Sequence, residues 1–200
     1  MFSWFSKKPV EPASDAAVWM TRAAREDAVL RLVRQSPNPV LLVAFFEASA
    51  SRLCARLEAE GIPFVEVGTA LVSWHPKPHV VLAERLKNLV GRLPEALDVC
   101  VVEYHPLPHP NRALLEDLAS RTPARPMFHA ALDEPMMLRF GGANILSMME
   151  RMGQAPNEPI QHAMVTQAMA NAREKVGKKV KVPRGAGSME EWLERNLGAE

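Results

Sequence analysis

Two histidine pairs in this chain share one spacing: His75-Pro-Lys-Pro-His79 and His105-Pro-Leu-Pro-His109. Neutral imidazole is a good ligand for zinc and copper, and four of them would complete a site. Proline locks its own φ and holds the preceding residue extended, so the two rings within each motif stand apart. A metal centre therefore requires the two motifs to meet in space; otherwise they are proline-stiffened loops carrying histidines. Glu103 lies just before the second motif. With His105 and His109 it forms the obvious polar cluster on which a small-molecule reaction could be built, at a strand end where α/β sheets usually bind ligands.

Other chemistries lack their residues. A phosphate-cradling loop needs the pattern GxxxxGK[ST], in which backbone amides and a lysine hold the phosphates. The Gly-Lys pair Gly177-Lys178 has Ala172 where the first glycine belongs. Residues 127–134 (MFHAALDE) look like an apolar strand ending in a magnesium-binding acidic pair, yet without a phosphate cradle the pair reads as a strand end and a helix opening. Ser49, Ser51, Ser73, Ser120 and Ser147 lack a GxSxG elbow, and Ser3 and Ser6 lie in the amino-terminal tail. Cys54 and Cys100 sit in apolar stretches without CxxC spacing or an evident activating base, which argues against a disulfide framework and favours a reducing, cytoplasmic setting. No cofactor and no resident metal is expected.

The elements that must position these groups follow from periodicity. After a tail over 1–14, a helix is expected from Ser14 or Asp15, with Trp19, Ala23, Leu30 and Val33 on one face and Pro37 and Pro39 ending it. The unbroken apolar run at 40–46 (VLLVAFF) predicts a strand buried on both faces. A helix over 47–60, stopped by Gly61, leads to a strand at 62–67, and further short apolar runs lie at 79–83, 98–104 and 126–132. Strands alternating with helices imply a largely parallel α/β sheet covered on both faces. Beyond Asp133 only helical patterns remain, at 144–152, 160–176 and 189–197; Asn157 and Pro159 are expected to open the second. Ser188-Met-Glu-Glu191 has the capping-box pattern for the third, whose apolar face is Met189, Trp192, Leu193 and Leu197. That face needs a cover, either its own domain or a protein partner.

Bulk properties narrow the partners. At 200 residues and 48% apolar composition the chain can bury one real core, and no stretch approaches the ~20 apolar residues that span a bilayer. Its 24 basic and 23 acidic residues leave a formal charge of +1, so no whole-protein field draws it to nucleic acid. The stretch 173–184 holds six Lys/Arg and one Glu, enough for a local phosphate or headgroup contact, but no aromatic residue to stack a base. Phe2, Trp4 and Phe5 beside Lys7 and Lys8 allow at most a weak contact with a membrane surface.

The ordered short motifs of the carboxyl half resemble a known family. Asp133-Glu134, the segment 137–141, Met148-Met149, Glu158-Pro159-Ile160, Met164-Val165-Thr166 and the run 172–176 occur in the order and near the spacing found where the SecA preprotein translocase ATPases close their second nucleotide-binding domain. Upstream, 18–25 (VWMTRAAR) and the run from Pro39 to Phe64 are similar to the entry, first strand, motif helix and second strand of that domain. Glu103-Tyr104-His105 stands where the family has Glu-Arg-His before its arginine motif. The resemblance, over roughly 18–177, implies a degenerate, stand-alone helicase carboxyl-terminal domain with a RecA-like core at 15–140, a helical extension at 141–177, a basic linker at 178–187 and a final helix at 188–200.

The departures weigh as much as the matches. The family's arginine motif supplies cations to the transferred phosphate. Here the stretch reads LASRTPARPMF, which keeps Arg121 and Arg125 but loses the shaping glycines, and the Gly-Arg-Gly-Thr-Asp loop has become ERLKNLV. The expectation is a non-catalytic SecA-like module that binds protein, with a translocase or motor component as the natural partner. The alternatives are an ATPase subunit that lends Arg121 or Arg125 to another chain, and an enzyme using Glu103, His105 and His109.

Overall fold

The apolar run beginning at Val40 becomes β2 (Val40–Ala44), the strand on which the molecule is built: all five of its residues are buried. In this computed structural model, which describes residues 15–198, β2 lies between β5 (His79–Leu82) and β7 (Asp98–Val101), with Leu42 in register with Val80 on one side and Cys100 on the other. β3 (Val65–Val67) extends the sheet beyond β5; β8 (Met127–Ala131) and then β1 (Asp15–Trp19) extend it beyond β7. All of these pairings are parallel. A separate parallel ribbon joins β4 (Val72–Ser73) to β6 (Leu89–Val90). The expected α/β class, a mostly parallel sheet flanked by helices, is what the chain adopts.

Alternation along β2 divides the core in two. Val40, Leu42 and Ala44 face α1 (Arg22–Gln35) and α2 (Glu47–Ala59), where Val29, Leu30, Leu53 and Leu57 meet them. Leu41 and Val43 face the other layer, made by α3 (Pro108–Arg121), α4 (Pro135–Arg139), α5 (Gly142–Arg151), α6 (Ala163–Lys179) and α7 (Met189–Leu197). Val165, Met169 and Val176 of α6 and Trp192 and Leu193 of α7 belong to the same apolar cluster as Leu41, Val101 and Phe128. The carboxyl-terminal helices therefore share the sheet's own core.

Several boundaries differ from the sequence reading. Asp15–Trp19 is a strand, not the start of a helix, because its backbone finds a five-residue parallel partner in β8; sheet pairing overrides local helical pattern. The helix begins after Thr21, whose Oγ1 accepts from Ala24 N at 3.1 Å. The expected strand at 62–67 contracts to Val65–Val67. Asn157 and Pro159 do not open α6: Ile160 is buried and donates its amide to Val18 O at 2.7 Å, so the helix waits for His162 as its cap. At its far end α6 runs through Lys179, taking in the first two residues of the expected linker. The expected tail at 1–14 lies outside the described residues.

The turn between α4 and α5 is a backbone-on-backbone contact. A Cβ at Gly142 would lie 2.6 Å from Leu132 O and 2.7 Å from both the carbonyl carbon and oxygen of Met137. Helix propensity alone favours alanine over glycine by roughly 1 kcal/mol. Steric crowding reverses the sign, so Gly142→Ala is expected to destabilise the fold by about 1–3 kcal/mol. Denaturant unfolding with unchanged slope measures this; a gain in stability contradicts the contact.

Candidate functional site

The parallel strands point their carboxyl ends to one edge, where open α/β sheets place their ligands. At that edge Arg25, on the apolar stripe of α1, is 3% exposed and pairs through Nη1 with Glu134 Oε1. Glu134 follows β8 and is 1% exposed, and Glu103 follows β7 at 2%. The neighbouring Asp133 Oδ1 accepts from Arg22 N at 2.6 Å, at the start of α1. Thus α1, β7 and β8 converge on one buried guanidinium.

Glu103 completes the arrangement on the other side. Its Oε1 accepts from Phe45 N at 3.0 Å and Phe46 N at 3.1 Å, and its Oε2 accepts from Ser49 Oγ at 2.7 Å. These donors form the amino-terminal mouth of α2, where free amides and the helix dipole favour an anion. In a phosphate-binding α/β protein a ligand occupies that seat. Here the chain fills it with its own carboxylate.

One guanidinium cannot neutralise two buried carboxylates. Burial pushes the Glu134 carboxyl up to about 8, opposed by Arg25 and reinforced by the nearby charge of Glu103. Burial also raises Glu103, against the hydrogen bond from Ser49, the charge of Arg25 and the two amides. Glu134 Oε2, Arg25 Nε and His129 Nε2 are buried with no hydrogen-bond partner among the described residues. His129 accepts from Trp19 Nε1 at 3.3 Å and is pushed down to about 4, by burial first and Arg25 second. The site therefore keeps a neutral imidazole and a shared positive charge.

Beside this network opens a cavity of about 450 Å3, within the usual range for small-ligand pockets, lined by Phe45, Ala83, Glu84, His105, His109 and Asp117 among others. Its lining contains two carboxylates and no lysine or arginine. His105 packs parallel to Phe46 at 5.7 Å and edge-on to Trp192 at 5.2 Å, while its Nδ1 accepts from Leu107 N at 3.0 Å. Burial holds that imidazole down to about 4, so it stays neutral. Asn111, buried beneath, ties the loop by accepting from His105 N and donating to His105 O and Leu107 O.

The sequence-selected residues scatter. Glu103 is sealed against α2 and is absent from the lining of the cavity that His105 and His109 share, so the three do not form one reactive cluster. His75 and His79 stand at the amino end of β5, stacked with each other, and His79 stacks also on Trp74, while His105 and His109 follow β7 at the opposite edge. The two HPxPH motifs do not meet. Arg121 lies at the far end of α3, one helix length from the carboxyl edge, and donates to the carbonyls of Leu86 and Leu89. Arg125 is exposed on the following loop.

The final helix packs on its own domain. Of the two covers expected for this face, its own domain and a protein partner, the structure has the first: Met189, Trp192 and Leu193 are 4, 2 and 3% exposed, and Leu197 is half-buried against the same core. The strap before α7 is held by Ala48 N donating to Gly187 O at 2.9 Å, and Ser188 Oγ caps the helix. Glu191 reaches back to Gly187 N at 2.8 Å, one residue further than an ordinary capping box. Sequence reasoning missed Arg25 and Ser49. A signal for Arg25 existed: an arginine in phase with Ala28, Val29 and Leu32 on an otherwise apolar helix stripe.

No family model matches the chain. It is 26% identical over 175 residues to the protein translocase subunit SecA of Syntrophomonas wolfei, covering 78% of this chain and 20% of that protein. Shorter stretches of 73 residues are 33% identical to SecA of Borreliella burgdorferi and 34% to SecA of Legionella pneumophila, each covering 34% of this chain and 8% of the relative. The crystal structure of the C-terminal part of the Fun30 ATPase domain aligns with a TM-score of 0.43 at 10% identity, over 76% of this chain and 54% of that one. The similarity to SecA thus runs over most of the chain, which spans about a fifth of the length of the Syntrophomonas protein. Among the described residues no helix is long and apolar enough to cross a membrane.

The buried proton on Glu134 has a measurable consequence. Its folded pKa of about 8 lies above the ordinary 4.5, so between those values the native state holds a proton that the unfolded chain has released. Stability from this group is full below about pH 4.5 and drains as pH rises through about 8, at up to roughly 1.4 kcal/mol per pH unit. Glu134→Gln removes the titration and is expected to flatten the stability profile across that window. Parallel profiles for the two proteins contradict the assignment.

Proposed function

We propose that this chain is a non-catalytic SecA-like domain that serves as a protein-binding or regulatory module of a translocation system in the cytoplasm. The observation that carries the reading is Arg121, in the stretch that stands for the family's arginine motif, whose guanidinium donates to the carbonyls of Leu86 and Leu89; the mouth of α2 is also occupied, by the Glu103 carboxyl bonded by Phe45 N, Phe46 N and Ser49 Oγ. A phosphate at that mouth would have to displace a buried, triply bonded carboxyl group and then lie against a cavity whose lining holds two carboxylates and no lysine or arginine. Like charges at such range repel, and a low-dielectric setting strengthens the repulsion. Of the two arginines in the motif stretch, Arg121 is held by the carbonyls of Leu86 and Leu89 and Arg125 is exposed on the loop after α3. The link to translocation rests on the similarity to SecA.

A protein-binding role needs an accessible surface, and the cavity beside His105 supplies one. Phe45 and His105 are half-buried there and offer apolar and aromatic contact, the composition that anchors protein interfaces. The carboxylates Glu84 and Asp117 at its rim favour a partner segment that carries basic residues.

Two outcomes are expected. Purified protein releases no phosphate from ATP above the buffer rate, at any nucleotide concentration; saturable turnover that Arg121→Ala abolishes contradicts the non-catalytic reading. In a direct binding assay with purified SecA translocase, Phe45→Ala and His105→Ala weaken association by about tenfold. Undiminished binding by both variants removes the cavity from the interface.

A further inference from the structure

The basic stretch that opens at Arg173 is not one patch in three dimensions. Lys178 pairs with Glu174 at 2.7 Å and Lys175 lies 5.9 Å from the Phe140 ring. Arg173 turns inward, its guanidinium 4.1 Å from the centre of the Tyr104 ring. Tyr104 in turn stacks on Phe128 with centroids 4.4 Å apart and planes 12° from parallel. These groups wall a cavity of about 260 Å3 between α3 and α6, to which α3 contributes Arg112 and Leu115.

Two guanidiniums therefore line one small apolar space. Among the described residues neither forms an ion pair, and Arg112 Nε is buried without a hydrogen-bond partner. The carboxylate in the lining, Glu174, is engaged by Lys178. Half-buried cations without counter-charge are costly, and a planar guanidinium fork matches a carboxylate or phosphate edge to edge. The cation–π contact fixes Arg173 in place before any ligand arrives, which lowers the entropy lost on binding. As to size, a void of about 150 Å3 accommodates benzene. A space of about 260 Å3 thus holds one ring together with its anionic head.

We propose that the cavity between α3 and α6 binds a small organic anion, its carboxylate or phosphate head held by Arg112 and Arg173 and its flat apolar body against Tyr104, Leu115 and Phe128. The site lies apart from the Glu103 seat and does not depend on the function proposed above. It needs no nucleotide, because one ring fills it.

The test is a titration of the intact protein with phenyl phosphate, benzoate, inorganic phosphate and neutral benzamide, followed by calorimetry and by amide chemical shifts of α3 and α6. One of the two aromatic anions is expected to saturate the site, more tightly than inorganic phosphate or benzamide, and the tighter of the pair identifies the preferred head. Arg112→Gln and Arg173→Gln should each weaken that binding by about tenfold, and Arg184→Gln, outside the cavity, should leave it unchanged. Arg112→Gln removes no ring or ion contact, so it decides the matter if Arg173→Gln fails to fold. The proposal is overturned if neither aromatic anion saturates, if benzamide or inorganic phosphate binds as tightly, or if Arg112→Gln retains wild-type affinity.

Discussion

The guanidinium of Arg25 faces two buried carboxylates at the point where β1, β2, β7 and β8 all end. Glu134 takes it directly, and Glu103 feels its charge while bonding to the mouth of α2. Helix α1, the exits of β7 and β8 and the start of α2 are thereby tied together by one buried guanidinium and the two carboxyl groups around it. Burying a charged or polar cluster adds little net stability over an apolar replacement, but removing a member leaves the others buried without their partner and is destabilising. The arrangement thus fixes which elements meet at this edge more than it strengthens the fold.

That constraint organises the neighbouring surface. With Glu103 in the helix-mouth seat, the carboxyl edge is closed from within by the chain's own carboxyl group. α7 then closes over the same edge, with its strap hydrogen-bonded to Ala48 and Trp192 against His105. Among the cavities that stay open are an aromatic, acid-rimmed one and an arginine-lined one, both bordered by α3. The two surfaces have opposite charge character, and a formal net charge of +1 conceals both.

Much of the frame was legible because strong signals coincide. The unbroken run at β2, Gly61 after α2 and the Ser188 cap of α7 each have one local cause, and each falls where expected. Asp15–Trp19 was illegible for the opposite reason: its strand state comes from β8, more than a hundred residues away. The site was half legible. Glu103 stood out as a carboxylate at a strand end, but its partners are backbone amides, which no residue type announces. Arg121 read as a spare cation, yet its partners are again carbonyls. The face of α7 was ambiguous until its cover was known, since the same amphipathic pattern serves an internal core or a partner.

The most direct measurement is a carbon-13 titration of the glutamate side-chain carboxyls. The account requires that Glu134 still hold its proton at neutral pH and release it near pH 8, with Glu103 shifting at the same step because the two share Arg25. If both carboxyls titrate independently near the ordinary 4.5, Arg25 is not the shared hub of a sealed edge, and the reading of that edge as closed to phosphate loses its basis.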